Sequence, residues 1–281
     1  MTLKLALTTL KEKLSSVEDG DIESRYILEK VSGLSYSEML FKGNEEISEK
    51  MLNEAFSMAD RRLDGEPIQS ILGSWDFMDF TFIVGEGVLI PRPETEILVE
   101  YIADKIKNID KPVIYDLCSG SGCIGLSLRK LHKDSKVFLV EKSDKALFYL
   151  NENRKNICNN LSDTKVIQGD ILKPEDFAHL PKADVIVSNP PYIRSDEISG
   201  LQSEVLREPH MALDGGEDGL VFYRCLVFEW TKYLKDDGFM AFECGEDQAD
   251  DISALFAEIG YKSEIVNDYN NIQRIIVGRR N

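Results

Sequence analysis

Val113-Ile114-Tyr115-Asp116-Leu117-Cys118-Ser119-Gly120-Ser121-Gly122-Cys123-Ile124-Gly125 decides how the chain is read. Its first five residues suit a short, largely apolar strand. Gly120, Gly122 and Gly125 then fall in the GxGxxG spacing, just ahead of a helical stretch from Leu126 to Leu131. Glycines at those positions permit a tight turn and let backbone approach a ligand closely. The glycine spacing alone is weak evidence; the flanking strand and helix give it weight.

Downstream, a second strand, Lys136-Val137-Phe138-Leu139-Val140, ends at Glu141, 19 residues after Gly122. An acid at that point can accept hydrogen bonds from both ribose hydroxyls of an adenosine. A helix opened by Asp144, a third strand from Lys165 to Gln168 and a second acid, Asp170, continue the alternation. The pattern predicts an adenosine-type cofactor and leaves two open: a dinucleotide held by its pyrophosphate, or S-adenosylmethionine held by amino acid, ribose and adenine. Asp116 favours the second, because a carboxylate there can engage an ammonium and would repel a pyrophosphate.

A fourth strand, Ala183-Asp184-Val185-Ile186-Val187-Ser188, is stopped by Asn189-Pro190-Pro191-Tyr192. Two prolines cannot continue a strand or enter a helix interior, and the residue before a proline is pushed towards extended geometry. Asn189 is therefore expected at a strand's carboxyl end, where open α/β sheets bind ligands. An amide beside rigid carbonyls and an aromatic ring suits a flat NH2-bearing group, although Asn-Pro pairs also mark ordinary turns.

Upstream the pattern changes. Leu3, Leu7, Leu10, Leu14 and Val17 recur at helical spacing, with Gly20 expected to end that helix. Further helices are predicted from Ile22 to Gly33, from the capping box Ser35-Tyr36-Ser37-Glu38 to Gly43, and from about Glu45 to Asp64-Gly65. Residues 1–65 thus read as a helical bundle. Residues 66–93 read as a β-hairpin linker, with a polar break at Met78-Asp79, ending in a stiff Pro91-Arg92-Pro93 that presents Arg92. Residues 94–281 form the α/β domain, with Glu94 and Glu96 at a helix start where carboxylates are favoured. Asp214-Gly215-Gly216-Glu217-Asp218-Gly219 reads as a solvated loop. A helix from about Leu220 to Leu234, strand Phe239 to Phe242, a helix around Asp251 to Glu258 and a terminal hairpin (Tyr261 to Val266, Ile272 to Val277) follow.

At 281 residues, 43% hydrophobic and 30% charged, the composition is that of a folded globular protein. A formal net charge of -17 argues against a broad phosphate-tracking surface. Five scattered cysteines without a CxxC pair, and three histidines far apart, predict reduced thiols and no metal site. Charges interrupt the first apolar residues too early for a signal-peptide core, and no run of about 18 apolar residues exists. A cytoplasmic monomer without a membrane span is expected.

Taken together, the residues resemble the HemK/PrmC family, S-adenosylmethionine-dependent methyltransferases that modify the glutamine of peptide chain release factors at N5. The resemblance spans nearly the whole chain. It rests on Gly65-Glu66-Pro67-Ile68-Gln69, Gly87-Val88-Leu89-Ile90-Pro91-Arg92-Pro93-Glu94-Thr95-Glu96, Asp116 to Gly125, Val187 to Tyr192, and Glu208-Pro209 through Ala212 to Gly216. It implies a class I (Rossmann-like) methyltransferase domain of seven strands behind the small bundle and hairpin. It implies that Asp116, Cys118, Ser119, Gly120, Ser121, Gly122, Glu141, Asp170, Ile171 and Asn189 contact the cofactor, with S-adenosyl-L-homocysteine as product. Asn189, Pro190 and Tyr192 would carry the chemistry on the glutamine of a GGQ motif, and Pro191, Arg92 and Glu94 would help hold the substrate. The chain departs from the family at Cys118, where glycine is frequent, at Glu141, where aspartate is, and at Arg207, where tyrosine precedes Glu-Pro. The rival activity is a nucleic-acid amino-methyltransferase acting on adenine N6 or guanine N2, which the acidic balance disfavours. A non-catalytic adaptor is disfavoured by the intact cofactor turn. A dehydrogenase is disfavoured by Asp116 and by the lack of an acid–base residue suited to hydride chemistry.

Overall fold

The computed structural model describes residues 1–158 and 161–281. The chain divides into two compact units, residues 1–74 with 202–207 and residues 75–201 with 208–281.

The first unit is helical: α1 (Leu3–Lys13), α2 (Gly20–Ser32), α3 (Tyr36–Phe41), α4 (Glu49–Leu63) and α5 (Ile68–Leu72). Local chemistry starts these helices. Thr2 and Ser48 accept backbone N–H bonds at the starts of α1 and α4, and Ser35 with Glu38 forms the expected capping box. Leu3, Ala6, Leu10, Ile27, Leu28, Ala55, Met58 and Ile71 are buried. Removing each large apolar side chain from water is worth about 1.5–3 kcal/mol. Gly20 opens α2 rather than ending α1, which stops at Lys13 with Leu14 as its cap. The fourth helix begins at Glu49 because Ser48 caps it, leaving Ile47 ahead of it.

The second unit opens one residue into β1 (Ser74–Phe77), which forms a hairpin with β2 (Phe80–Ile83), turning at Met78-Asp79 with Met78 at φ 52°. The stretch 66–93 therefore contains a helix, α5, in one unit and a hairpin that belongs to the other. Next come α6 (Pro93–Ile106), β3 (Val113–Leu117), α7 (Cys123–Leu131), β4 (Lys136–Glu141), α8 (Asp144–Ile157), β5 (Thr164–Gln168), β6 (Ala183–Ser188), α9 (Val221–Glu229), β7 (Leu234–Glu243), α10 (Ala249–Glu258), β8 (Tyr261–Asn267) and β9 (Gln273–Arg280). The helix expected to run to Leu234 stops at Glu229. One 3-10 turn, Trp230–Tyr233, leads directly into β7, whose strand pairing begins at Leu234.

The seven-stranded sheet has the order β5-β4-β3-β6-β7-β9-β8. Strands β3 to β7 are parallel, and β9 runs antiparallel to both β7 and β8. Side chains alternate between two apolar layers. Ile114, Val137, Leu139, Val185 and Val187 pack with Leu98, Leu126 and Leu150 from α6, α7 and α8. Tyr115, Leu117, Phe138, Val140 and Ile186 pack on the other face with Tyr223, Leu226, Ile252 and Phe256 from α9 and α10. Burial on both faces explains why these strands read as near-continuous apolar runs. The strand order reverses between β3 and β6, and a crevice outside the carboxyl ends of those two strands is where such sheets hold ligands.

Candidate active site

The turn after β3 is built by short-range hydrogen bonds. The Ser119 hydroxyl donates to the Asp116 carbonyl at 2.7 Å, Ser119 N–H to the Val140 carbonyl at 3.0 Å, and Gly122 N–H to the Ser119 carbonyl at 2.7 Å. Gly122 has φ 83°, and a Cβ there would run into Leu150 and Leu126. Only glycine fits both constraints. Cys118 also sits in the left-handed region, at φ 60°. Burial pushes its thiol up.

Asp116 is fully buried. Its Oδ2 accepts from Gly125 N–H at 2.9 Å, while Oδ1 meets no hydrogen-bond partner among the described residues. Desolvation pushes this carboxyl up to about 7; the Glu141 charge adds to the rise, and the Gly125 and Ser119 hydrogen bonds oppose it.

At the end of β4, Glu141 Oε2 accepts from Gly120 N–H at 2.8 Å, and Oε1 accepts from the N–H groups of Lys142 at 2.8 Å and Ser143 at 2.7 Å. One carboxylate thus ties the glycine turn to the second strand. Burial alone would raise the Asp170 carboxyl. The bond from Lys142, the Leu172 N–H, and the charges of Lys142 and Lys173 together hold it below the usual range. The Ile171 carbonyl accepts from the Trp230 indole at 2.9 Å.

The tetrapeptide Asn189 to Tyr192 lies at the end of β6, whose last residue, Ser188, donates to the Leu117 carbonyl at 2.6 Å. Asn189 Nδ2 donates to Thr95 Oγ1 at 3.4 Å. Behind the tetrapeptide, Gly215 N–H donates to the Ile193 carbonyl at 2.8 Å, and Gln248 Nε2 donates to the Tyr192 carbonyl at 2.9 Å. The loop expected to be merely solvated is therefore a backbone brace for this stretch. Burial raises the Tyr192 phenol, assisted by the Glu243 charge.

These segments surround one cleft of about 330 Å³. Of the residues singled out from sequence, Arg92, Cys118, Ser119, Gly120, Ser121, Glu141, Asp170, Ile171, Asn189 and Pro191 line it. Asp116, Gly122, Glu94, Pro190 and Tyr192 are not among its lining residues. Asp116 stands behind the glycine turn because it bonds the first turn of α7, and the neighbouring Cys118 and Ser119 face the cleft in its place. Arg92 is not an isolated cation: it pairs with Glu208, whose other oxygen accepts from Ile90 N–H at 3.3 Å.

Thr95, Glu243, Gln248, Gly215 and the segment from Pro209 to Ala212 are the parts of the site that sequence reading missed. Thr95 Oγ1 donates to Glu243 Oε2 at 2.5 Å, and Glu243 is buried. Thr95 falls within the Pro91 to Glu96 run, and Pro209 to Ala212 and Gly215 within the Glu208 to Gly216 stretch, so both had a signal without an assigned role; Glu243 and Gln248 had none.

The cleft fits S-adenosylmethionine. Its volume is in the range of cofactor sites. An acid stands at the end of the second strand, and the buried Asp116 Oδ1 has an unfilled acceptor behind the turn.

Comparison with known proteins agrees. The PrmC N-terminal domain family matches residues 3–73, and the methyltransferase small domain family matches residues 93–234. The release factor glutamine methyltransferase of Thermodesulfovibrio yellowstonii is 40% identical over 242 residues, covering 85% of each chain. That of Clostridium acetobutylicum is 38% identical over 281 residues, covering 98% of this chain and 96% of its own. Among solved structures, a methyltransferase from Pyrococcus furiosus superposes with a TM-score of 0.52 at 17% identity, over 79% of this chain and 97% of that one. The hMettl16 catalytic domain, solved in complex with MAT2A 3′UTR hairpin 6, gives 0.57 at 14% identity, over 83% and 82%. At such identities these two speak to fold alone.

Sheet order, glycine turn and cleft define a class I methyltransferase. Near-full-length similarity at these identities goes further: the chain belongs to the release factor glutamine methyltransferase family.

Proposed function

We propose that this protein transfers a methyl group from S-adenosyl-L-methionine to the side-chain nitrogen of the glutamine in the GGQ motif of peptide chain release factors. The observation that carries the reading is that Asn189 lines the same cleft as the glycine turn, Glu141 and Asp170. The family supports the choice of acceptor.

When bound, the cofactor supplies an electrophilic methyl group on a sulfonium. Glu141 would accept from the ribose hydroxyls, Asp170 and Ile171 would border the adenine, and the turn from Cys118 to Gly122 would receive the amino acid end. Asp116 acts from behind that turn. The acceptor nitrogen is a poor nucleophile because its lone pair is delocalised into the carbonyl. The Asn189 side-chain oxygen and the Pro190 carbonyl each accept one of its N–H groups, which turns the lone pair towards the methyl group and stabilises the charge that develops on nitrogen. Positioning and electrostatic stabilisation of this kind supply several kcal/mol of a barrier. Tyr192 and Pro191 pack against the flat amide, Arg92 and Glu94 bound the substrate side, and the proton leaves to water after transfer. The N-terminal bundle, residues 1–65, with α5 serves as the partner-holding domain, and residues 94–281, with the hairpin that precedes them, as the catalytic domain of a cytoplasmic monomer.

The test is incubation with labelled methyl donor, purified release factors and RNA. Label is expected in the release factor, and it disappears when the GGQ glutamine is replaced. Label confined to RNA would overturn the reading. Asn189→Ala is expected to abolish transfer while cofactor affinity stays within a few-fold.

A further inference from the structure

Asn189 can accept from a substrate N–H only if its carboxamide presents the oxygen to the cleft. The two ends of a carboxamide are nearly the same shape, so only hydrogen-bond partners decide which end faces which way. The partners here are unequal. Thr95, near the start of α6, has one hydroxyl proton and donates it to Glu243 Oε2 at 2.5 Å. Towards Asn189 the hydroxyl therefore offers lone pairs only, and Asn189 Nδ2 lies 3.4 Å from it. Thr95 thus stands between Asn189 and the buried Glu243 carboxyl at the end of β7, whose rise in pKa the Asn189 side chain opposes. An acceptor in contact and a carboxylate behind it thus both favour the NH2 end.

We propose that Thr95 and Glu243 are positioning residues that lock the Asn189 carboxamide with its nitrogen inward and its oxygen towards the methyl acceptor. The inference deepens the proposed function and rests on it for the role of Asn189. With the amide reversed, its oxygen would face the lone pairs of Thr95 and a carboxylate, and the cleft would be offered N–H donors that an incoming amide NH2 cannot use.

The lock needs Glu243 ionised. A protonated Glu243 donates to Thr95, which frees the threonine proton for the Asn189 oxygen and removes the bias. Burial pushes this carboxyl up to about 7. Thr95 and Asn189 oppose the rise, as does Arg274 from β9, while Glu94 from α6 adds to it. The phenols of Tyr192 and Tyr223 and the thiols of Cys123 and Cys244 complete the titratable surroundings of the group. Below neutral pH the lock loosens.

Thr95→Val keeps the shape and removes the hydroxyl. It is expected to lower kcat about 10- to 100-fold, the scale of a misplaced catalytic group, with the cofactor Kd within twofold. Thr95→Ser is expected to restore most of the rate. The acid limb of the wild-type kcat profile near pH 7 is expected to vanish in Glu243→Gln, in which nothing titrates at that position. Rates are read on whichever acceptor the wild type labels, so failure to label release factors ends the functional reading without ending this one. A second measurement needs no acceptor: the Asn189 side-chain NH2 protons, followed by NMR in the free protein, exchange slowly in wild type and faster in Thr95→Val. Wild-type kcat in Thr95→Val, an acid limb unchanged in Glu243→Gln, or equal NH2 exchange in wild type and Thr95→Val would each overturn the proposal.

Discussion

Gly215 and Tyr192 approach so closely that a Cβ on the glycine would stand 2.7 Å from the tyrosine Cα, with the carbonyls of Pro191 and Gly219 each 2.9 Å away. All three obstacles are backbone. None can swing aside as a side-chain tip would, so relief requires moving the Pro191-Tyr192 segment itself. Gly215→Ala is therefore expected to lower methyl transfer about 10- to 100-fold, with the far-UV circular dichroism of wild type. Gly200→Ala is the control, since a Cβ there meets nothing within 4 Å and the position lies outside the site. Equal rates for both variants would remove the brace from the account.

Cys118 occupies a glycine's backbone conformation, at φ 60°. A non-glycine residue held there costs of the order of 1–2 kcal/mol, and among the described residues the hydrogen bonds that build the turn do not use the thiol as a donor. Cys118→Gly removes that strain but adds backbone freedom to the unfolded chain, which offsets part of the gain. The expected net is a melting temperature equal to or up to a few degrees above wild type, with activity retained. A clear fall in melting temperature would mean that the side chain contributes packing that outweighs its backbone strain.

The cofactor half was legible because its signals are contiguous: a strand, three glycines and an acid in register say together what each says weakly alone. The place of Asn189 at the end of β6 was legible for the same reason. What supports Asn189 was not, since Thr95 lies 94 positions before Asn189 and 148 before Glu243. No periodicity reports such pairings, and a glutamate at a strand end reads as ordinary polarity until the sheet brings it under α6. Arg92 misled in the opposite direction: two prolines made it look presented, while the distant Glu208 holds it. Helix boundaries failed where hydrogen bonds, not composition, decide them. Gly20 was read as a stop because glycine usually is one, yet Asp21 and Glu23 behind it are the acids of a first turn.

Arg62 is buried between two carboxylates of the helical unit, with Nε 2.6 Å from Glu23 and a terminal nitrogen 2.5 Å from Glu204. Removing the cation alone strands a buried glutamate. Arg62→Ala is expected to destabilise this unit by about 3–5 kcal/mol, whereas Glu23→Leu combined with Arg62→Met is expected to cost far less, because the only carboxylate left unpaired, Glu204, is solvent-exposed. Both tryptophans, Trp75 and Trp230, belong to the other unit. Urea unfolding is therefore followed by helical circular dichroism rather than fluorescence. A double variant as unstable as the single one would show that packing, not charge pairing, is what Arg62 contributes.

Asp116 sets a pH dependence whose sign is fixed by its burial. Its carboxyl stands at about 7 in the folded protein against 3.8 in an unperturbed chain, so between those values the folded state holds more protons than the unfolded one. Stability contributed by the protonated form is complete below the unfolded value and is lost as pH rises through the folded one. Glu243, raised from 4.5 to about 7, acts in the same direction. Each unit of such a shift is worth about 1.4 kcal/mol. The melting temperature is therefore expected to fall between pH 5 and pH 8 in the absence of cofactor, and Asp116→Asn is expected to flatten part of that slope. The surroundings of the group, Glu141 and the thiols of Cys118 and Cys123, carry no cation that would reverse the sign. A cationic amino group seated in front of the turn favours the ionised form of Asp116 behind it, so cofactor binding is expected to release a proton and to tighten as pH rises towards 7. Calorimetry in two buffers of different ionisation enthalpy reads that proton directly. Binding without proton release near pH 6.5 would mean that Asp116 stays neutral throughout and serves the turn alone.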